Sequence, residues 1–254
     1  MKGKTSAFTY GFSFAGQKDI GQSRNTNQDE IILCPDIGVF AVSDGMGGLQ
    51  QGAKASAYVR ESIPAMMPFA LKDAETPEEA GVAFAETVRM VSDGLFNTAN
   101  TEAHIGFGAT FCGVWLYRNK AIFANLGDSR GYLLPKYKKT IMQVTEDHNI
   151  AAIMVKNGEL SKDGATGHPA SSRLTRFVGM NTPALPDYFI CDIEPGDRIL
   201  ICSDGLYGMV DNCKLAHILR SSKSPLTVCE RLVGQANENG GNDNISAVYI
   251  RIVS

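Results

Sequence analysis

Apolar and polar positions along the 254-residue chain change period several times, and each change predicts an element. Phe8 to Ala15 alternates, as a half-buried strand does, and Glu30 to Cys34 is a short β-branched run. Gly38 to Val42 is apolar throughout, which predicts a strand buried on both faces. Gln50 to Met67 has helical spacing and should end near Pro64 or Pro68. Thr76-Pro77-Glu78-Glu79 is a helix start, with a hydroxyl cap, proline at the first position and acids in the first turn; the helix it opens should run to about Ala103. Strand patterns return at Ala109 to Tyr117, Lys120 to Asn125, Arg130 to Leu134 and Thr140 to Val144 with short polar turns between them, which predicts an antiparallel meander. A helix over Ile150 to Asn157 precedes an irregular stretch from Gly158 to Pro186. Strands at Tyr188 to Ile193 and Arg198 to Cys202, helices near Asp211 to Ser221 and Pro225 to Asn239, and an alternating strand from Ile245 to Ile252 complete the chain. Strands and helices come in blocks, not as a βαβ alternation, so the expected class is α+β with helix-covered sheets. No linker or low-complexity segment interrupts the pattern, which predicts one domain over 1–254.

Composition narrows the functional classes. The chain is 44% apolar and 20% charged with a net charge of -3, and has no basic run of the kind nucleic acid requires. Six cysteines are scattered without a CxxC pair, so neither a disulfide framework nor a zinc site is expected, and the reading is of a reduced, cytoplasmic protein. No apolar stretch is long enough for a membrane span, and the first residues read as a strand in preference to a secretory helix.

Carboxylates at element ends carry the chemistry. Two apolar runs close on the same tripeptide, Ser43-Asp44-Gly45 and Ser203-Asp204-Gly205, so each delivers an aspartate at a strand tip. The glycine after it lets the backbone turn or bring a carbonyl close to a ligand. Carboxylate and carbonyl oxygens are what hard cations such as Mg²⁺ and Mn²⁺ take. Asn27-Gln28-Asp29, Gly127-Asp128-Ser129-Arg130, Asp147-His148 and Asn242-Asp243-Asn244 also sit at element ends. Singly each reads as a turn or a cap. Together they read as an oxygen-rich cation site.

In their order and spacing, R-x-x-N-Q-D, S-D-G-M-G-G, G-D-S-R, D-H, S-D-G-L and N-D-N resemble the metal-dependent protein phosphatases, the PPM or type-2C family, from about Asp19 to Val248. The resemblance implies a four-layer αββα sandwich, two antiparallel sheets face to face with a helix pair on each. It also implies serine/threonine phosphatase activity on two Mn²⁺ or Mg²⁺ ions with a third nearby. Asp44 should bridge two ions, with the carbonyl of Gly45 on one of them. Asp204 and Asp243 should complete the pair, Asp29 should hold ion-bound water from behind, and Arg24 should grip the phosphate with its planar fork. Asp128, together with Asp204, matches the third-ion position of bacterial members, and Asp147 matches a position near it. Asn244 is a weaker candidate that orients the last strand or touches the hydrated ions.

Met46 stands where some members, chiefly eukaryotic, have a histidine proposed as the proton donor; a thioether has no proton to give. His168-Pro169 and Arg173 to Arg176 resemble the bacterial flap, expected to act in substrate choice or access to the third ion. His104 and His217 fall in helical patterns and read as surface or packing residues. The expected partners are phosphorylated proteins, including a serine/threonine kinase and its targets. Two alternatives are a catalytically silent pseudophosphatase serving as a binding module, which should have lost a ligand, and another two-metal phosphoesterase such as a nuclease.

Overall fold

Val39 to Val42 are wholly buried, as a strand with apolar residues on both faces must be, and this strand lies at the heart of the molecule. The computed structural model describes residues 2–3, 8–47, 51–99, 107–181 and 183–254. In chain order the first elements are β1 (Lys2–Gly3), β2 (Gly11–Asp19), β3 (Asp29–Cys34), β4 (Val39–Met46), α1 (Gln51–Asp73) and α2 (Pro77–Ala99). Next come β5 (Gly108–Ala109), β6 (Phe111–Tyr117), β7 (Lys120–Leu126), β8 (Arg130–Leu134), β9 (Met142–Gln143), α3 (Ile150–Lys156) and α4 (Lys162–Ala165). The last are β10 (Asp187–Asp192), β11 (Arg198–Cys202), α5 (Asp204–Tyr207), α6 (Asn212–Arg220), α7 (Pro225–Glu238) and β12 (Ile245–Val253).

Two antiparallel sheets result, one ordered β1-β2-β12-β11-β8-β9 and the other β10-β7-β6-β4-β3, with β5 paired to the end of β4. Three apolar layers hold the sandwich. Phe12, Phe14 and Phe40 meet between the sheets, with ring centroids 5.6 Å (Phe12–Phe40) and 5.0 Å (Phe14–Phe40) apart. Helices α1 and α2 cover the second sheet, and α6 and α7 cover the first. The expected αββα architecture is what forms.

Helix α1 runs through both Pro64 and Pro68, against the expectation that it stops there. Ala55, Val59, Ile63 and Met67, one per turn, are all wholly buried against the sheet. Their burial outweighs the hydrogen bonds the prolines forgo. Helix α2 starts as expected: Thr76 Oγ1 accepts from the Glu79 amide at 3.2 Å, while Glu79 Oε2 accepts from the Thr76 amide at 3.0 Å. The expected start at Gln50, the extension from 100 to Ala103 and His104 lie outside the described residues, and His217 is exposed on α6.

The expected meander from 109 to 144 is corrected in one respect that matters for function. Strands β6 and β7 belong to one sheet, but β8 and β9 belong to the other. Between β7 and β8 the chain crosses the sandwich through Gly127, at φ +125°, and Asp128 sits at the crossing.

Candidate metal centre

The two Ser-Asp-Gly tripeptides reach one place by different local structures. Asp44 lies inside β4, near its end, whereas β11 stops at Cys202 and Asp204 opens the short helix α5. Both glycines have ordinary backbone angles, so the sharp-turn explanation does not hold; close approach does. A Cβ on Gly45 would lie 2.0 Å from the Gly52 carbonyl oxygen, and one on Gly205 would lie 2.0 Å from that of Asn244.

Asp44, Asp204, Asp243, Asp128, Gly45 and Arg24 all line one cleft of about 290 Å³ at the end of the sandwich. Asp29 lies beneath it, wholly buried and directly opposite Asp44 in the β3–β4 register. Like charges directly opposite on neighbouring strands repel, so this pairing needs a proton or a cation between them. Asp243 arrives on the loop before β12. Asn244 staples that loop to the Arg24 segment: its Oδ1 accepts from the Gln28 amide, and its Nδ2 donates to the carbonyls of Ile20 and Thr26. These bonds orient the last strand, and Asn244 also lines the cleft. Arg24 NH2 donates to Asp243 Oδ2 at 2.7 Å across the cleft.

The family profile described as protein phosphatase 2C matches residues 21–237. The chain belongs to the protein phosphatase 2C family. The serine/threonine phosphatase Stp of Listeria monocytogenes is 31% identical over 245 residues, 91% of this chain and 92% of that one. PhpP, a protein phosphatase of Streptococcus pneumoniae, is 29% identical over 235 residues, 91% and 94% of the two chains. Among solved structures, the PPM Ser-Thr phosphatase MsPP of Mycobacterium smegmatis, in complex with cacodylate, has a TM-score of 0.81 at 31% identity, over 95% of this chain and 98% of that one. The S. agalactiae serine/threonine phosphatase has a TM-score of 0.86 at 27% identity, over 96% and 100%. As an enzyme, the chain is a serine/threonine phosphatase of this family.

Electrostatics of the phosphatase cleft follow from crowding like charges at low dielectric. Burial pushes the carboxyls of Asp29 and Asp204 up to about 6, with Asp243 adding to the effect on Asp204. Asp44 is raised well above the usual range, first by burial and then by Asp29, Asp204, Asp128 and Asp243. Asp128 is likewise raised, by burial and then by Asp204 and Asp147. The buried Oδ1 atoms of Asp29 and Asp204 have no hydrogen-bond partner. Unpaired buried carboxylate oxygens in a nest of acids are what divalent cations relieve, so the residues fit Mg²⁺ or Mn²⁺. Among the described residues no three acidic, histidine or cysteine side chains converge on one point as a ready-made cage. A cation that keeps several of its waters suits such a spaced donor set.

Asp147 is not part of the cleft. It forms a two-point pair with the buried Arg130, Nε to Oδ1 at 2.9 Å and NH2 to Oδ2 at 2.7 Å. Two supporting groups have no role in the sequence reading: Ser203 enters it only as part of its tripeptide, and Thr110 is a common polar residue with no spacing signature. Ser203 Oγ donates to Asp29 Oδ2 at 2.8 Å, and Thr110 Oγ1 accepts from the Asp44 amide at 2.9 Å. Leu174, from the expected flap, and Ser172, just before its Arg173–Arg176 run, form part of the cleft wall. Their neighbour Arg176 turns away and pairs with Asp187.

Proposed function

We propose that this phosphatase hydrolyses phosphoserine and phosphothreonine monoesters of proteins with divalent cations, Mn²⁺ or Mg²⁺, two at the centre of the cleft and a third beside Asp128. Asp44, the Gly45 carbonyl, Asp204 and Asp243 would hold the central pair, and Asp128 with Asp204 the third. The observation that carries the reading is that these aspartates, from both sheets, line one cleft together with the Arg24 guanidinium. When bound, the cations would lower the pKa of a shared water and offset the charge of the phosphate it attacks in line.

The chain's own residues do the rest. Arg24, half-exposed at the rim, offers a planar fork to two phosphate oxygens. Asp29 is held by Ser203 through one carboxylate oxygen, while the other is buried without a hydrogen-bond partner. Met46 lines the cleft but has no proton to give, so it cannot serve as the donor to the leaving oxygen. Because the aspartates come from both sheets, neither half of the sandwich carries the site alone, which supports one domain over 1–254. The partners on this reading are phosphorylated proteins, including a serine/threonine kinase and its targets. Six free thiols suit a reducing, cytoplasmic setting.

The test is hydrolysis of a phosphothreonine peptide and of p-nitrophenyl phosphate, with and without Mn²⁺. Turnover that requires the cation and disappears in Asp204→Ala supports the reading. A well-folded chain that turns over neither substrate at any Mn²⁺ concentration is a binding module instead.

A further inference from the structure

The Asp147-His148 dipeptide lies between β9 and α3. Neither side chain lines the cleft, and both are largely buried. His148 Nδ1 accepts from the Gly127 amide at 3.1 Å. A backbone N–H can only donate, so Nδ1 is bare and the ring proton sits on Nε2, directed at Asp187 Oδ2 3.1 Å away. The same carboxylate takes Arg176 in a two-point pair, NH1 to Oδ1 at 2.9 Å and NH2 to Oδ2 at 2.8 Å. Backbone bonds follow the same route. The His148 amide donates to the Gly127 carbonyl, and the His148 carbonyl accepts from the Thr175 amide at 2.8 Å. Thr175 lies beside Leu174, in the wall of the cleft.

Asp147 supports the turn from the other side. Its partner Arg130 stacks over the Tyr207 ring, 3.7 Å from the centroid, and Tyr207 Oη donates to the Asp128 carbonyl at 3.0 Å. Asp187 is anchored independently, at the start of β10 and opposite Asn125 of β7. The Gly127–Asp128 turn is thus tied to a fixed strand and, through one shared carboxylate, to the cleft-wall segment.

We propose that Asp147 and His148 are positioning residues that set the Gly127–Asp128 turn, and that the shared Asp187 couples this turn to the wall segment around Arg176. The proposal rests on the reading of Asp128 as a cation ligand. Displacing the wall segment would then alter how Asp128 meets its cation.

The test perturbs one end and reads the other, using the full chain. Arg176→Gln removes the two-point pair without touching Gly127 or Asp128, and Asp187→Asn is the second variant should the first fail to fold. Hydrogen exchange is followed over 127–130 and over 172–176, and Mn²⁺ binding is measured by calorimetry. The expected result is faster exchange in both segments and roughly tenfold weaker binding at the weakest Mn²⁺ site. The other sites should change by no more than about twofold, and Arg176→Lys should recover part of the loss. Faster exchange confined to 172–176, with Mn²⁺ binding as in the unaltered chain, overturns the proposal. If the unaltered chain binds no Mn²⁺ at all, the cation reading fails instead, and the exchange data alone still decide the coupling.

Discussion

Replacing Asp204 by asparagine should make the cation-free phosphatase more stable while abolishing its activity. The Asp204 carboxyl is pushed from 3.8 to about 6, first by burial and then by Asp243. A folded-state value above the unfolded one means that the stabilising contribution is full below about pH 4 and is lost as pH rises through about 6. At pH 8 the ionised group then costs the cation-free fold about 3 kcal/mol, from ~2 pKa units at 1.36 kcal/mol each. Asp44 and Asp29 share this electrostatic field, so the release on removing a single charge is smaller, about 1–3 kcal/mol. For a chain of this size that is a rise in Tm of roughly 3–8 °C. Thermal unfolding in EDTA at pH 8 and pH 4, and again with Mn²⁺, measures it. The gain should shrink toward zero at pH 4 and reverse with Mn²⁺, which stabilises the unaltered chain by binding the folded state. A variant that melts below the unaltered chain in EDTA at pH 8 would refute the reasoning, because Asp204 would then be contributing a net favourable contact without any cation.

Arg24→Ala should raise KM for a phosphopeptide roughly 10–100-fold, the worth of a charge-assisted hydrogen bond, with a smaller change in kcat; an unchanged KM counts against Arg24 as the phosphate grip. Met46→Leu should leave kcat within about threefold, since a positioned general acid contributes roughly 100-fold or more and a thioether cannot be one. Gly205→Ala, whose Cβ would lie 2.0 Å from the Asn244 carbonyl oxygen, should force the Asp243 loop away. It is expected to cost about 1–3 kcal/mol in denaturant unfolding and to weaken Mn²⁺ binding. Phe40→Ala, which empties the space between the sheets where Phe12 and Phe14 meet, should cost about 3–5 kcal/mol by the same measurement with little effect on KM.

Hydrophobic periodicity carried most of the architecture, because a residue's place on a strand or helix face is set by its neighbours within a few positions. The apolar first half of β4, the capped start of α2 and the existence of β12 were all legible for that reason. So were the aspartates now lining the cleft, since acids at the ends of buried strands have few places to go. What the chain could not reveal locally was which elements meet. Helix α1 passes two prolines only because Val59, Ile63 and Met67 have a sheet to bury against. The split of the meander between two sheets, which carries Asp128 across the sandwich, depends on contacts far apart in sequence.

The repeated Ser-Asp-Gly was determined by sequence alone as two carboxylates followed by two glycines, and with the four other acidic segments at element ends it pointed to a cation site. Tertiary structure decided that one aspartate lies within a strand and the other opens a helix, and that each glycine makes room for a distant carbonyl. It also decided that Asp147 serves Arg130 and not the cleft. A carboxylate's chemistry is intrinsic, but whether a cation, a guanidinium or another carboxylate faces it depends on residues brought together only by folding.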